Sequence, residues 1–162
     1  MPCLDVAYIN PYIDATRQVF ATMVKVPLAM GKPWLRGGDR LDKVYQVSVL
    51  VGMQGAARGM LALSLSQPVA IALASAFSPN PIKTVNRDCL DALGEITNMI
   101  AGQAKQHLPT GQITLSVPRI VSTRRLPYPS DIPVMLIPFD TATGRFLIQV
   151  AVDSDSQYRQ AA

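Results

Sequence analysis

The chain is poor in the residues that usually carry chemistry: its 162 residues include two cysteines and one histidine. Cys3 and Cys89 form no CxxC pair and no Cys/His cluster, which excludes a disulfide framework and a zinc site of the usual spacing. His107 alone cannot build a metal site, and no Ser-His or Cys-His pair is evident for nucleophilic catalysis. Charged residues make up only 16%. The net charge is +4, but Arg58, Lys83, Arg124 and Arg125 are scattered rather than gathered in a run. No nucleic-acid partner is therefore expected, and an acidic protein surface would suit the chain better. Long apolar runs are missing too. The longest, "PVAIALASAF" (68–77), is about half a membrane span. The opening "MPCLDVAYIN" has neither the basic start nor the apolar core of a signal peptide. The expectation is a cytoplasmic protein with reduced thiols, no membrane partner and no metal of its own.

What the chain has in quantity is apolar side chains, at 49%. That is enough for one well-filled core over residues 1–153, followed by a polar tail at 154–162. Asn10-Pro11 reads as a helix start, with Asn as N-cap, Pro at the first helical position and Asp14 in the first turn. Ile9, Ile13, Phe20, Met23 and Val24 supply its apolar face, and the helix should stop before Pro27. "VYQVSVLVGM" (44–53) and "RGMLALSLS" (58–66) read as strands joined by a turn at "QGAA". Residues 68–77 are apolar nearly all round and read as a buried helix. A long helix spans 86–107, ended by Pro109 and Gly111. "QITLSVPRIVS" (112–122) is a strand interrupted by Pro118, and 133–153 is a hairpin turning at 141–144. Strands joined mostly by hairpins imply an α+β fold: a mainly antiparallel sheet with about three helices packed on it.

The long helix contains "DALGEITNMIAGQAK" (91–105). At about 100° per residue, Asp88, Asp91, Glu95, Asn98 and Gly102 fall on one narrow stripe. Cys89, Leu93, Ile96, Ile100 and Ala104 fall opposite. Glu95 and Asn98, three residues apart, are neighbours on the solvent face. An ordinary solvated face is rich in Lys and Glu, whereas this one is flanked by Ala92, Gly94, Ala101 and Gly102. Each glycine costs roughly 1 kcal/mol relative to alanine in a helix interior. Small flanks leave room for another surface to approach while Glu95 and Asn98 reach into it. A carboxamide can hold a water in line with a phosphorus, as a glutamine does in small GTPases. A carboxylate can pair with a partner's cation.

The pattern Asp91-x3-Glu95-x2-Asn98 followed by "MIAG" resembles the phosphatase motif of the CheC/CheX/FliY family of bacterial chemotaxis, in its single-motif CheX form. "YINPYIDATRQVFATM" (8–23) is similar to the family's opening helix, and "GKPWL" beyond that helix also fits. "ITLSVPRIV" (113–121) is similar to the segment carrying the family's downstream proline. The resemblance implies a phosphatase for the aspartyl phosphate of a phosphorylated CheY-like response regulator. Asn98 would orient the attacking water and Glu95 would pair with the lysine of the regulator's receiver domain. Asp91, Gly94, Ala101 and Gly102 would line the contact with that partner. The receiver would supply the Mg²⁺, so the chain needs no cofactor. The resemblance also implies a homodimer. Relatives of the CheC type carry a second Glu/Asn motif on the opening helix; here that helix offers only Asp14 and Gln18, which implies one site per chain. The alternative is a non-catalytic docking module for phosphorylated receivers, as in flagellar switch proteins.

Overall fold

A computed structural model describes residues 5–38 and 41–154. Cys3 and the expected polar tail, apart from Ser154, lie outside the described residues. Helix α1 covers Val6–Val19 and continues as a π-helical turn, Phe20–Val24. Two short strands come after it, β1 (Ala29–Met30) and β2 (Trp34–Leu35), then the hairpin β3 (Val47–Gly55) and β4 (Ala57–Leu65). Helices α2 (Gln67–Phe77) and α3 (Arg87–Gln106) come next. The chain ends in β5 (Ile113–Leu115), β6 (Arg119–Ser122), a 3₁₀ turn at Thr123–Arg125, β7 (Met135–Asp140) and β8 (Arg145–Ser154).

The expected α+β architecture is present: among the described residues, three α-helices lie on an antiparallel sheet of eight strands. The strand order is β1-β7-β8-β4-β3-β5, with β2 also on β7 and β6 also on β3. Alternation along the strands sorts side chains between two faces. Val49, Val51, Leu61, Leu63, Ile148 and Val150 join the core shared with the helices. Leu50, Met60, Ala62, Leu147 and Ala151 face the other way, where Leu126, Ile132 and Val134 cover them. Segment 123–134 is thus a strap across the far face. Buried polar groups tie it down. Tyr128 Oη donates to Gln149 Oε1 at 2.7 Å, and Gln149 Nε2 donates to Ser64 Oγ at 2.9 Å. Ser48 Oγ lies 2.7 Å from Ser64 Oγ and 2.9 Å from Thr123 Oγ1.

The start of α1 differs from expectation. Asp5, not Asn10, is the N-cap, its carboxylate accepting the Ala7 N–H at 2.9 Å. Pro11 sits inside the helix and Asp14 lies beyond the first turn. Pro11 lacks the N–H that would bond the carbonyl of Ala7, but Ala7 is exposed and that carbonyl can turn to water. In return the extra turn buries Ile9. At the other end the π turn shifts the helical phase, so Met23 is exposed while Phe20 stacks on Phe146 with centroids 5.1 Å apart. The second helix is buried on one face only, through Val69, Ala70, Leu73 and Ala74, rather than all round.

Candidate functional site

The site is built on α3. Asn86 caps it, its side-chain carbonyl accepting the Cys89 N–H at 2.9 Å, and Asp88 complements the helix dipole in the first turn. Cys89, Leu93, Ile96, Thr97, Ile100 and Ala104 are buried beneath. Thr97 Oγ1 donates to the Leu93 carbonyl at 2.8 Å, so its hydroxyl is satisfied inside the core. Burial pushes the Cys89 thiol pKa up, and the thiol points at the Ala70 carbonyl 3.7 Å away. It is a packing group.

Asp91, Glu95 and Asn98 are all exposed. Among the described residues none of the three has a hydrogen-bond or ion-pair partner. Gly94 and Gly102 are half-buried beside them. A Cβ added at Gly102 would meet nothing within 4 Å, and one at Gly94 would touch only Pro118, at an ordinary 3.8 Å. Neither glycine is demanded by packing within the chain. Ala101 and Ala92 are a correction: they are 2% and 7% exposed, members of the core rather than exposed flanks. Packing by α1 and by α2 against α3 widens its buried arc beyond what one sheet face would cover. Ala101 therefore cannot line a contact surface in this fold.

The Glu95–Asn98 ridge stands between two grooves. One, of about 310 Å³, runs toward the α2–α3 loop and includes Asn80, Ile82, Asp88, Asp91 and Glu95. The other, of about 430 Å³, has Asp91, Gly94, Glu95 and Asn98 on the helix side and Pro118 and Ile120 opposite. That second wall comes from a β-bulge. From Met53 back to Leu50, β3 advances three residues while the strand beside it advances four, from Leu115 to Arg119. Ser116 secures the bulge, its N–H donating to the Gly52 carbonyl at 2.9 Å and its Oγ accepting the Gly52 N–H at 2.8 Å. Ile120 was not visible as a site residue from periodicity on α3, because it lies on another element. The proline breaking a β-rich run was the available signal.

Among the described residues no group of three or more His, Cys, Asp or Glu could hold a metal ion. No helix among the described residues is long and apolar enough to cross a membrane. An exposed amide and carboxylate without partners among the described residues are free to meet a group brought by another molecule. The fold, with its three helices on an antiparallel sheet, is of the CheC-like class. A CheC-like superfamily protein from Shewanella sp. PV-4 superposes with a TM-score of 0.82 at 27% identity, covering 93% of this chain and 100% of that one. A chemotaxis protein CheX from Desulfovibrio desulfuricans gives 0.75 at 26% identity, covering 90% and 99%. A CheX from Borrelia burgdorferi, solved as a complex with CheY, BeF₃ and Mg²⁺, shares the fold with a TM-score of 0.74 at 21% identity, covering 91% and 98%. Comparison with curated proteins finds no match. The family model described as chemotaxis phosphatase CheX matches residues 47–140, and the chain belongs to that family.

Proposed function

We propose that this protein hydrolyses the aspartyl phosphate of a CheY-like receiver domain by inserting α3 into the receiver's active site. One observation carries the reading: Glu95 and Asn98 stand exposed on α3, one turn apart and without a partner among the described residues. Asn98 holds a water through its carboxamide, in line with the phosphorus. The water oxygen bonds to phosphorus, the bond to the receiver's aspartate oxygen breaks, and the aspartate leaves as carboxylate. The water's proton ends on inorganic phosphate or solvent. Glu95 pairs with the receiver's lysine and fixes the docking geometry. Asp91, Gly94 and Gly102 lie in the contact. The receiver would hold the Mg²⁺, which would supply positive charge to the phosphoryl oxygens. The chain works in the cytoplasm, as a homodimer joined through a sheet edge, with one site in each copy. The support for this reading is the family membership, the unpartnered pair and the glycines that no internal packing requires.

The test is phosphate release from a radiolabelled phosphorylated receiver. The unaltered protein accelerates release, and Asn98→Ala abolishes the acceleration while leaving binding largely intact. Normal hydrolysis by Asn98→Ala would overturn the mechanism. Binding without release by the unaltered protein would make it a docking module instead. Light scattering tests the dimer.

A further inference from the structure

A groove lies on each flank of the Glu95–Asn98 ridge. Toward the α2–α3 loop the groove mixes the polar Asn80 and Asp88 with the exposed Pro79 and Pro81. Toward the sheet edge the wall is Pro118 and Ile120. Ile120 pairs with Val49, so its side chain lies on the helix-bearing face of the sheet. It is nevertheless 41% exposed, and Val117 on the preceding bulge is 80% exposed. Gly94 forms the groove's floor. An alanine there would fit, yet its methyl would bridge the gap to Pro118 at 3.8 Å. The structure therefore leaves an apolar recess open directly beside two polar side chains. Fold stability alone does not call for an open floor or an exposed Ile on an edge strand.

We propose, resting on the phosphatase reading above, that the recess between α3 and β6 is a specificity pocket. Its occupant is an apolar side chain on the receiver surface next to the phosphorylated aspartate. The recess is continuous with the Glu95–Asn98 surface, since the same groove contains all four of Glu95, Asn98, Pro118 and Ile120. Glu95 anchors the receiver through charge, and Ile120 anchors it through burial of apolar area. Both anchors act alike on the bound receiver before and during hydrolysis, so they set affinity for the receiver rather than the aim of Asn98. Receivers lacking an apolar side chain at that place are poor substrates.

The experiment measures kcat and KM with a phosphorylated CheY-like receiver for Ile120→Thr, Ile120→Val and Gly94→Ala, with Val44→Thr as the control at an exposed apolar residue outside the groove. Threonine keeps the β-branch that suits a strand. Ile120→Thr raises KM roughly tenfold with kcat little changed, because aliphatic burial common to ground and transition states is lost. Ile120→Val stays within about twofold of the unaltered protein, since most of the aliphatic surface remains. Gly94→Ala raises KM without lowering the melting temperature. An unchanged KM in Ile120→Thr, where Asn98→Ala still abolishes turnover, overturns the pocket and leaves the phosphatase reading standing. Absence of turnover by the unaltered protein with every receiver overturns both.

Discussion

Gly102 offers a separation of stability from function that few sites allow. It lies in the interior of α3, four residues before the helix ends at Gln106. A methyl group added there meets nothing within 4 Å, so no internal clash opposes the gain. Replacing an interior helical glycine by alanine stabilises by about 1 kcal/mol, part of it through a less disordered unfolded chain. For a domain of this size that corresponds to a rise of roughly 2–4 °C in melting temperature. If α3 enters a receiver's active site, the same methyl group meets the partner. Overpacking a close contact costs about 1–3 kcal/mol, or roughly 5- to 150-fold in KM. Gly102→Ala is therefore expected to be more stable in urea and in thermal melts and to be a weaker phosphatase through KM. A destabilised variant would mean that the glycine has a role inside the fold. A stabilised variant with unchanged KM would refute the idea that the glycine clears the way for a partner.

Three other perturbations have defined outcomes. Glu95→Ala weakens docking on the phosphorylated receiver and flattens its dependence on ionic strength, as measured by titration at several salt concentrations; equal affinity would contradict its role. Tyr128→Phe removes the donor to Gln149 Oε1 and leaves that buried atom unpaired, at a cost of about 1–3 kcal/mol in urea unfolding, whereas a neutral result would mean that water replaces the hydroxyl. The hydrogen bond from the Arg58 guanidinium holds the Asp131 carboxyl below its usual range. A depressed carboxyl pKa contributes stability above the unfolded-state value and loses it as pH falls through the folded one. The melting-temperature deficit of Asp131→Asn should thus be small at pH 7, because the pair is exposed, and should vanish once the pH falls below the carboxyl's depressed folded-state value. A deficit that grows in acid would refute the assignment.

The helix that bears the site was legible almost to the residue, since Asn86 is a strong cap and Pro109 with Gly111 cannot continue it. The wheel placed Glu95 and Asn98 outward because the apolar residues opposite them recur at helical spacing. It failed at Ala101 for a physical reason: periodicity reports polarity, and alanine is compatible with either environment. Only the packing of α1 and α2 on both sides of α3 decides the matter. The start of α1 misled because Asn10-Pro11 has the local chemistry of a cap, while the gain that overrides it, burial of Ile9, is tertiary. The bulge at Ser116 to Pro118 was half visible. Proline announced a break in the strand, but the added residue that turns Pro118 toward Gly94 appears only in the register of two strands against β3.

The chain of hydroxyls and amides beneath the strap has a consequence for how the sheet finds its alignment. Ser48, Ser64 and Gln149 belong to β3, β4 and β8, and they meet only if all three strands are in register. A slip of one residue would send each polar side chain into the aliphatic core on the helix side. A slip of two would keep the faces but strand buried hydrogen-bonding groups without partners, each at about 1–3 kcal/mol. Apolar side chains alone would tolerate the second error far better, because one aliphatic residue substitutes readily for another. The network thus acts less by strengthening the correct alignment than by making its nearest competitors expensive, and it does so on the face of the sheet away from α3, where sequence can change without touching the ridge that meets a partner.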